Sequence, residues 1–215
     1  MSIKVLKAGF QDLIQDMGRF GNTHMGISPS GAADNISLRI GNLLLENDFN
    51  AAGIEITLFG GSYYFNKNAI IVLSGSDFTS TIDGKIISFY KPVSIRAGQI
   101  LSISQTTDGA RCYLCIKGGF QVPPTLNSSS THVLSKIGGF EGRSLKKKDE
   151  ILFSNSNNQN FNKNNNFHID NDRSVLRVTE GLQYDLFDSS NKNLFFNEKF
   201  AVTHNSNRMG LRITG

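Results

Sequence analysis

The 215-residue chain has no tryptophan, two cysteines and four prolines. No stretch approaches the roughly eighteen apolar residues that cross a bilayer as a helix. The opening MSIKVLKAGFQD has neither the apolar core nor the cleavage site of a signal peptide. These absences lead to the expectation of a cytoplasmic protein with no membrane partner. Neither phosphate-cradling pattern, G-x-x-x-x-G-K-S/T or G-x-G-x-x-G, occurs, and no lysine stands in the Met-Lys context of a biotin carrier. No cofactor is therefore bound by a recognisable motif. Charge of one sign is not gathered either: the net +4 is scattered, and Lys146-Lys147-Lys148 runs straight into Asp149-Glu150. A nucleic-acid protein concentrates its basic residues on one face, so that class is set aside. The four histidines stand alone, without a second ligand at metal-binding spacing, so no metal is expected. Cys112 and Cys115 have C-x-x-C spacing, but they lie in ARCYLCIKG, which alternates as a strand. Residues three apart on a strand point to opposite faces, which argues against a redox pair or a zinc site.

What the chain has in quantity is glycine and phenylalanine, 21 and 16 residues, which favours a β-rich fold with many turns. The stretch from Gln15 to Asp34, QDMGRFGNTHMGISPSGAAD, has glycines at 18, 21, 26 and 31 and few large apolar side chains. It cannot form core, yet it is too glycine-dense and charge-poor for a solvated linker. Its glycines suggest a backbone folded back on itself in tight or left-handed turns, and long ordered loops of this kind tend to carry function.

Ile3 to Gly9 reads as an opening strand. Asp34 is placed to cap a helix, NISLRIGNLLLEN, with Ile36, Ile40, Leu43 and Leu44 recurring at helical spacing towards a sheet. From Gly53 to Lys117 short β-branched and aromatic runs alternate with turn signals, and Asp83-Gly84 has the composition of a two-residue hairpin. This pattern predicts a mainly β fold, an antiparallel barrel with one main helix, over residues 1–153. Residues 154–172, almost all asparagine, read as a linker or surface insertion. Residues 173–215, with strands at SVLRVTEG and in KFAVTHNSNRMGLRITG and a short helical piece at LQYDLFD, read as the start of a second β lobe. The last strand runs to Gly215 with no closing element, so that lobe is expected to be incomplete.

Several stretches together carry a family resemblance: QDMGRFG (15–21), GISPSGAAD (26–34), IEITLFGG (54–61), LSGSDF (73–78), YLCIKGGF (113–120), GGFEGR (138–143) and SNRMGLRITG (206–215). The chain resembles the biotin-dependent carboxyltransferase family, also known as the allophanate hydrolase subunit 2 or KipA-like family, and within it the C-type components of 5-oxoprolinase most of all. The resemblance implies a cyclophilin-like β-barrel and work alongside a homologous partner. In 5-oxoprolinase the partners are a homologous B-type component and a further A-type component, and the complex consumes ATP to open 5-oxo-L-proline (pyroglutamate) to L-glutamate. In urea carboxylase/allophanate hydrolase systems the equivalent region moves a carboxyl group from carboxybiotin to urea. In the sporulation regulators it is a binding protein. The expectation is one component of an ATP-dependent cyclic-amide hydrolase, active in complex, with carboxyl transfer or regulatory binding as alternatives. Two departures from the family pattern stand out. Ser129 and His132 replace a frequent arginine and acid, and Ser206-Asn207-Arg208 replaces Ser-Asp-Arg.

A carboxylated substrate calls for planar cations, and Arg19, Arg143 and Arg208 each stand in a glycine-flanked loop. The competing role for each is to pin its own loop. Asp16 and Glu55 are the candidate catalytic acids, to act as general base or to orient water. Asp16 has a rival role as partner of Arg19, and Glu55, set among apolar strand residues, as half of a structural ion pair. Ser28 and Ser30 are candidate donors to an oxyanion, against simple turn chemistry. Ser74 and Asp77, at a strand end, and His24, in the glycine-rich loop, complete the candidate substrate-binding set.

Overall fold

The computed structural model describes residues 1–154, 167, 175–206 and 210–215. The chain divides into two compact units, Met1–His168 and Ile169–Gly215. The described residues of the first form ten strands: β1 Ser2–Lys7, β2 Gln11–Gln15, β3 Gly53–Thr57, β4 Ser62–Phe65, β5 Ala69–Ile82, β6 Lys85–Ile86, β7 Val93–Ile95, β8 Ile100–Ile116, β9 Phe120–Gln121 and β10 Glu150–Phe153. Every pairing among them is antiparallel, in the order β2-β3-β8-β4-β1-β10-β9, with β5 laid along β8 and bonded to β6 and β7. The sheet curls into a barrel. The outer edge of β2 does not stay open, because Ile14 accepts from the Thr131 N–H and Asp12 from that of Leu145. The mainly β barrel with one main helix is the architecture that strand spacing and family resemblance imply.

Strand lengths differ from the sequence reading. AIIVLSG and FTSTIDGK form one strand, β5, and QILSIS and ARCYLCIKG form one strand, β8. Asp108-Gly109 does not end β8, because β5 runs alongside with its own irregularities between Gly75 and Ser80. Bulges absorb the turn residues within a continued ladder. Asp83 and Gly84, both at positive φ, make the two-residue hairpin into β6. β2, QDLIQ, is a strand that sequence pattern leaves unassigned beside the glycine-rich loop that follows it.

Helix α1, Asn35–Leu44, is capped by Asp34, whose carboxylate accepts from the Ser37 N–H at 3.0 Å. Its packing face is only half the expected one, with Leu44 buried and Ile40 packed against the helix–sheet core. Ile36 and Leu43 are exposed, whereas Leu38, Gly41 and Leu44 face the sheet. Gly41 decides this: a Cβ there would lie 2.7 Å from both Ser74 Oγ and Cys115 Sγ, so the helix approaches the strands more closely than any larger residue permits. Two cores result. Ile14, Ile54, Leu73, Cys112 and Leu114 fill the barrel, while Leu38, Leu45, Val72, Tyr113 and Cys115 lie between helix and sheet. The two cysteines face opposite cores, as strand alternation requires.

An acid lies in the barrel core. Asp12 is 1% exposed; its Oδ2 accepts from the Gly9 N–H and the Tyr63 hydroxyl, both at 2.8 Å, while no group among the described residues bonds Oδ1. Burial raises its pKa, against the lowering effect of those two hydrogen bonds.

In the second unit, the chain forms a 3-10 turn at Tyr184–Leu186, α2 at Ser189–Asn197 capped by Asp188, and a strand pair, β11 Ala201–Val202 with β12 Ile213–Thr214. Residues 175–180 of the expected strand SVLRVTEG are irregular, and α2 is a helix that the sequence pattern does not announce. Val178, Phe187, Phe195 and Phe200 line an apolar hollow of about 810 Å³. Most of the expected asparagine-rich linker, 154–172, lies outside the described residues.

Two outcomes follow from these cores. Ionising Asp12 is disfavoured only in the folded state, so its contribution is intact at low pH and is lost as pH rises through its raised native pKa. Stability should therefore fall by up to about 1.4 kcal/mol per pH unit somewhere above pH 3.8, its ordinary value. Asp12→Asn should lack that slope, as urea unfolding of both proteins from about pH 4 to pH 7 will read. Gly41→Ala should destabilise by about 1–3 kcal/mol, because overpacking against β5 and β8 outweighs the gain in helix propensity. The same unfolding measurement checks it.

Candidate functional site

The glycine-rich loop leaves β2 at Asp16 and returns to α1 at Asp34. Its two limbs run together: Arg19 N–H donates to Pro29 O and Ala32 N–H to Asp16 O, both at 2.8 Å. Gly18 and Gly31 lie where the limbs touch, at φ of 101° and 88°. A Cβ on either would stand 2.8 Å from a carbonyl oxygen of the opposite limb, so only glycine fits. The tip carries a 3-10 turn, Thr23–Met25, with His24 exposed and Phe20 and Met25 also facing solvent.

Beneath the loop two charges are buried. Arg19 is 1% exposed, and its guanidinium donates to Thr125 O at 3.4 Å, to Ser30 Oγ at 3.1 Å and to Ser130 O. Burial lowers its pKa, and the nearby Asp16 charge opposes that effect. Asp16 is 3% exposed. It accepts from the Gly18 N–H at 2.8 Å, the Ser128 hydroxyl at 2.7 Å, the Ser129 N–H and the Ser130 hydroxyl. The serine run 128–130 is thus wrapped around one carboxylate, and Arg19 ties the same run to the glycine-rich loop. Gly138 closes over this pair: a Cβ there would collide with Ser130 O and Arg19 Nη2.

A second buried acid sits where the loop meets α1. Glu55 of β3 accepts from the Ala33 N–H at 2.8 Å and the Tyr113 hydroxyl at 2.9 Å, and that same hydroxyl accepts from the Asp34 N–H at 2.7 Å. Burial, reinforced by the Glu55 charge, holds the Tyr113 phenol well above its ordinary pKa. Arg111 Nε lies 3.7 Å from Glu55 Oε1.

The structure therefore brings together Asp16, Arg19 and Ser30, with Ser28 accepting from the Ser30 N–H at 3.4 Å, and joins Glu55 to the far end of the same loop. Other candidates lie in different settings. Ser74 is buried under α1 beside Cys115, whose thiol burial pushes up to about 12. Asp77 is exposed in the bulged part of β5, and its carbonyl accepts from the hydroxyls of Thr106 and Thr107. Arg143 is engaged by Glu141 and Asp149, with the Phe140 ring 5.1 Å away, and its pKa is raised chiefly by the Asp149 hydrogen bond. Arg208 lies outside the described residues. Sequence reasoning misses Ser128, Ser130, Tyr113 and Arg111 as members of this network. Period-two alternation on β8 is the available signal for the last two, since it places Arg111, Tyr113 and Cys115 on one face.

The model of the family described as carboxyltransferase domain, subdomain A and B, matches residues 25–215. Urea amidolyase of Saccharomyces cerevisiae is 35% identical over the whole chain, which spans 12% of that protein. The C-type component of 5-oxoprolinase from Haemophilus influenzae is 34% identical over 99% of the chain, which spans 68% of that protein. The crystal structure of Kluyveromyces lactis urea carboxylase superposes with a TM-score of 0.83 at 31% identity, over all of this chain and 20% of that one. On the family match and the near-complete alignments, the chain belongs to the carboxyltransferase domain, subdomain A and B, family.

Proposed function

We propose that this chain is the C-type component of an ATP-dependent 5-oxoprolinase, which hydrolyses 5-oxo-L-proline to L-glutamate together with components of the A and B types. The observation that carries this reading is the match to a C-type 5-oxoprolinase component over two thirds of that protein's length. Carboxyl transfer from carboxybiotin to urea is the second reading, favoured by the 35% identity to yeast urea amidolyase against 34% to the 5-oxoprolinase component.

The glycine-rich loop forms one wall of the site. Asp16 and Arg19 hold its base, and their hydrogen-bonding groups are already directed at protein partners. They act as positioning residues, and Glu55 does the same for the loop's return to α1. Half-buried Ser28 and Ser30 and exposed His24 are among the loop's polar groups open to a substrate, and the serine hydroxyls retain protons to donate to a developing oxyanion. Arg143 is already held by Glu141 and Asp149 and is not assigned to the substrate carboxylate. ATP does not fit the start of α1, because the Asp34 carboxylate already occupies it and would repel a phosphate. No step through the nucleotide is assigned to this chain.

Reconstitution with A- and B-type components should give ATP-dependent release of glutamate from 5-oxo-L-proline. A correctly assembled complex that carboxylates urea and releases no glutamate would reject the reading in favour of the second. Arg19→Met should destabilise the chain by about 2–4 kcal/mol, since it strips the donor from two carbonyls and leaves Asp16 without its nearby cation. Urea unfolding measures the loss, and faster proteolysis within residues 16–34 and 125–138 should accompany it.

A further inference from the structure

Most of the charged groups around the loop are fully occupied by the protein itself; Arg111, ion-paired with Glu55 through its Nε side, keeps its terminal nitrogens open. On β8 it lies opposite Thr57 of β3, which lies opposite Gln11 of β2. Directly opposed residues of an antiparallel sheet project from the same face. Glu55 and Tyr113 form the neighbouring row on that face, two residues along each strand. The Arg111 side chain is 27% exposed, and its Nε stands 3.7 Å from Glu55, too far for a hydrogen bond. Among the described residues no acceptor bonds its two terminal nitrogens. Arg19 and Arg143 differ in this respect, because carbonyls or carboxylates fill their guanidinium edges.

Two further observations point to the same place. Thr57 is 6% exposed, and its hydroxyl is buried with no partner among the described residues. Buried hydroxyls are almost always bonded, so one left open beside a cation with open terminal nitrogens is available to an external group. The backbone of Arg111 is also tied to β5. Its N–H and that of Ala110 donate to Ser76 Oγ, and Gly75, at φ 107°, packs where a Cβ would come within 2.7 Å of Arg111 O. Ser76 and Gly75 belong to the bulge of β5, and bulges commonly re-aim side chains beside sites.

We propose that Arg111 and Thr57 bind the carboxylate of a small organic acid. The terminal edge of the guanidinium engages both carboxylate oxygens, and the Thr57 hydroxyl donates a third hydrogen bond. Glu55 stands on the Nε side at ion-pair distance and leaves that edge uncovered. Its buried negative charge penalises a second charge on the ligand, so the site should favour a planar monoanion over phosphate. The assignment goes beyond the loop-based reading of function, names residues which that reading does not use, and is tested by binding alone.

The full chain, with its arginine side chains observed by NMR, is titrated with acetate, 5-oxo-L-proline, the primary amide of 5-oxo-L-proline and inorganic phosphate. The Arg111 side-chain resonances should shift with acetate and with 5-oxo-L-proline, and both the amide and phosphate should bind at least about tenfold more weakly. Arg111→Lys keeps the charge beside Glu55 and loses the planar edge; it should weaken binding roughly ten- to a hundredfold, and Thr57→Val roughly two- to tenfold. The unfolding transition of each variant verifies that it is folded. Acetate binding that depends on both residues, without binding of 5-oxo-L-proline, would uphold the site and count against the 5-oxoprolinase reading. Failure of either carboxylate to move Arg111, tighter binding of phosphate, or affinity unchanged in both variants would overturn the proposal.

Discussion

A buried guanidinium and a nearby buried carboxylate, each with its own set of hydrogen bonds, hold this barrel's functional end together. Arg19 and Asp16 lie three residues apart, in a segment with almost no apolar surface to bury, and hydrophobic packing alone cannot order it. The pair supplies order through hydrogen bonds instead. Asp16 gathers the serine run 128–130, and Arg19 binds carbonyls at Thr125 and Ser130 and the hydroxyl of Ser30. Two loops more than a hundred residues apart in sequence become one body. Removing either charge would leave several buried polar groups without partners, which is why such networks stand or fall as units.

Strand alternation distributes the remaining polar groups. On β3 and β8 the paired residues facing the barrel interior are apolar apart from Cys112, whereas the opposite face holds Glu55, Thr57, Arg111 and Tyr113. Helix α1 covers part of that polar face, brought close by Gly41, and its capped start rests on the Tyr113 hydroxyl. The acid, the phenol and the loop backbone therefore share one network, and Arg111 stands at its open side. Asp12 is the exception, a carboxyl group inside the barrel, tolerated because Tyr63 and the Gly9 N–H bond one of its oxygens.

Much of the fold is legible from local pattern. β-branched and aromatic runs of short period mark the strands, Asp83-Gly84 marks its hairpin, and Asp34 marks the start of α1. Differences arise where neighbours override local signals. Asp108-Gly109 reads as a turn in isolation, but a matching irregularity in β5 keeps the ladder running. Ile36 and Leu43 have the spacing of a buried helical stripe, but contact with the sheet centres on the residue without a side chain. The glycine-rich stretch is visible as an anomaly of composition. Which side chains it buries is not, since burial of Arg19 depends on serines and carbonyls from residues 125–130.

Short windows of the chain were enough to establish the β-rich class, the opposed cysteines, the capped helix, the folded-back loop and the family, because each depends on period, spacing or turn chemistry among near neighbours. How each charged group is used had to await the folded arrangement. Arg19 and Arg143 look alike in sequence, as arginines flanked by glycine, yet one is buried among carbonyls and the other is held by two carboxylates. Arg111, inconspicuous within a strand, keeps its terminal edge open among the described residues. Whether a guanidinium is occupied by the protein or left for a ligand depends on which acceptors the fold places within about 3 Å of it, and those acceptors come from distant segments.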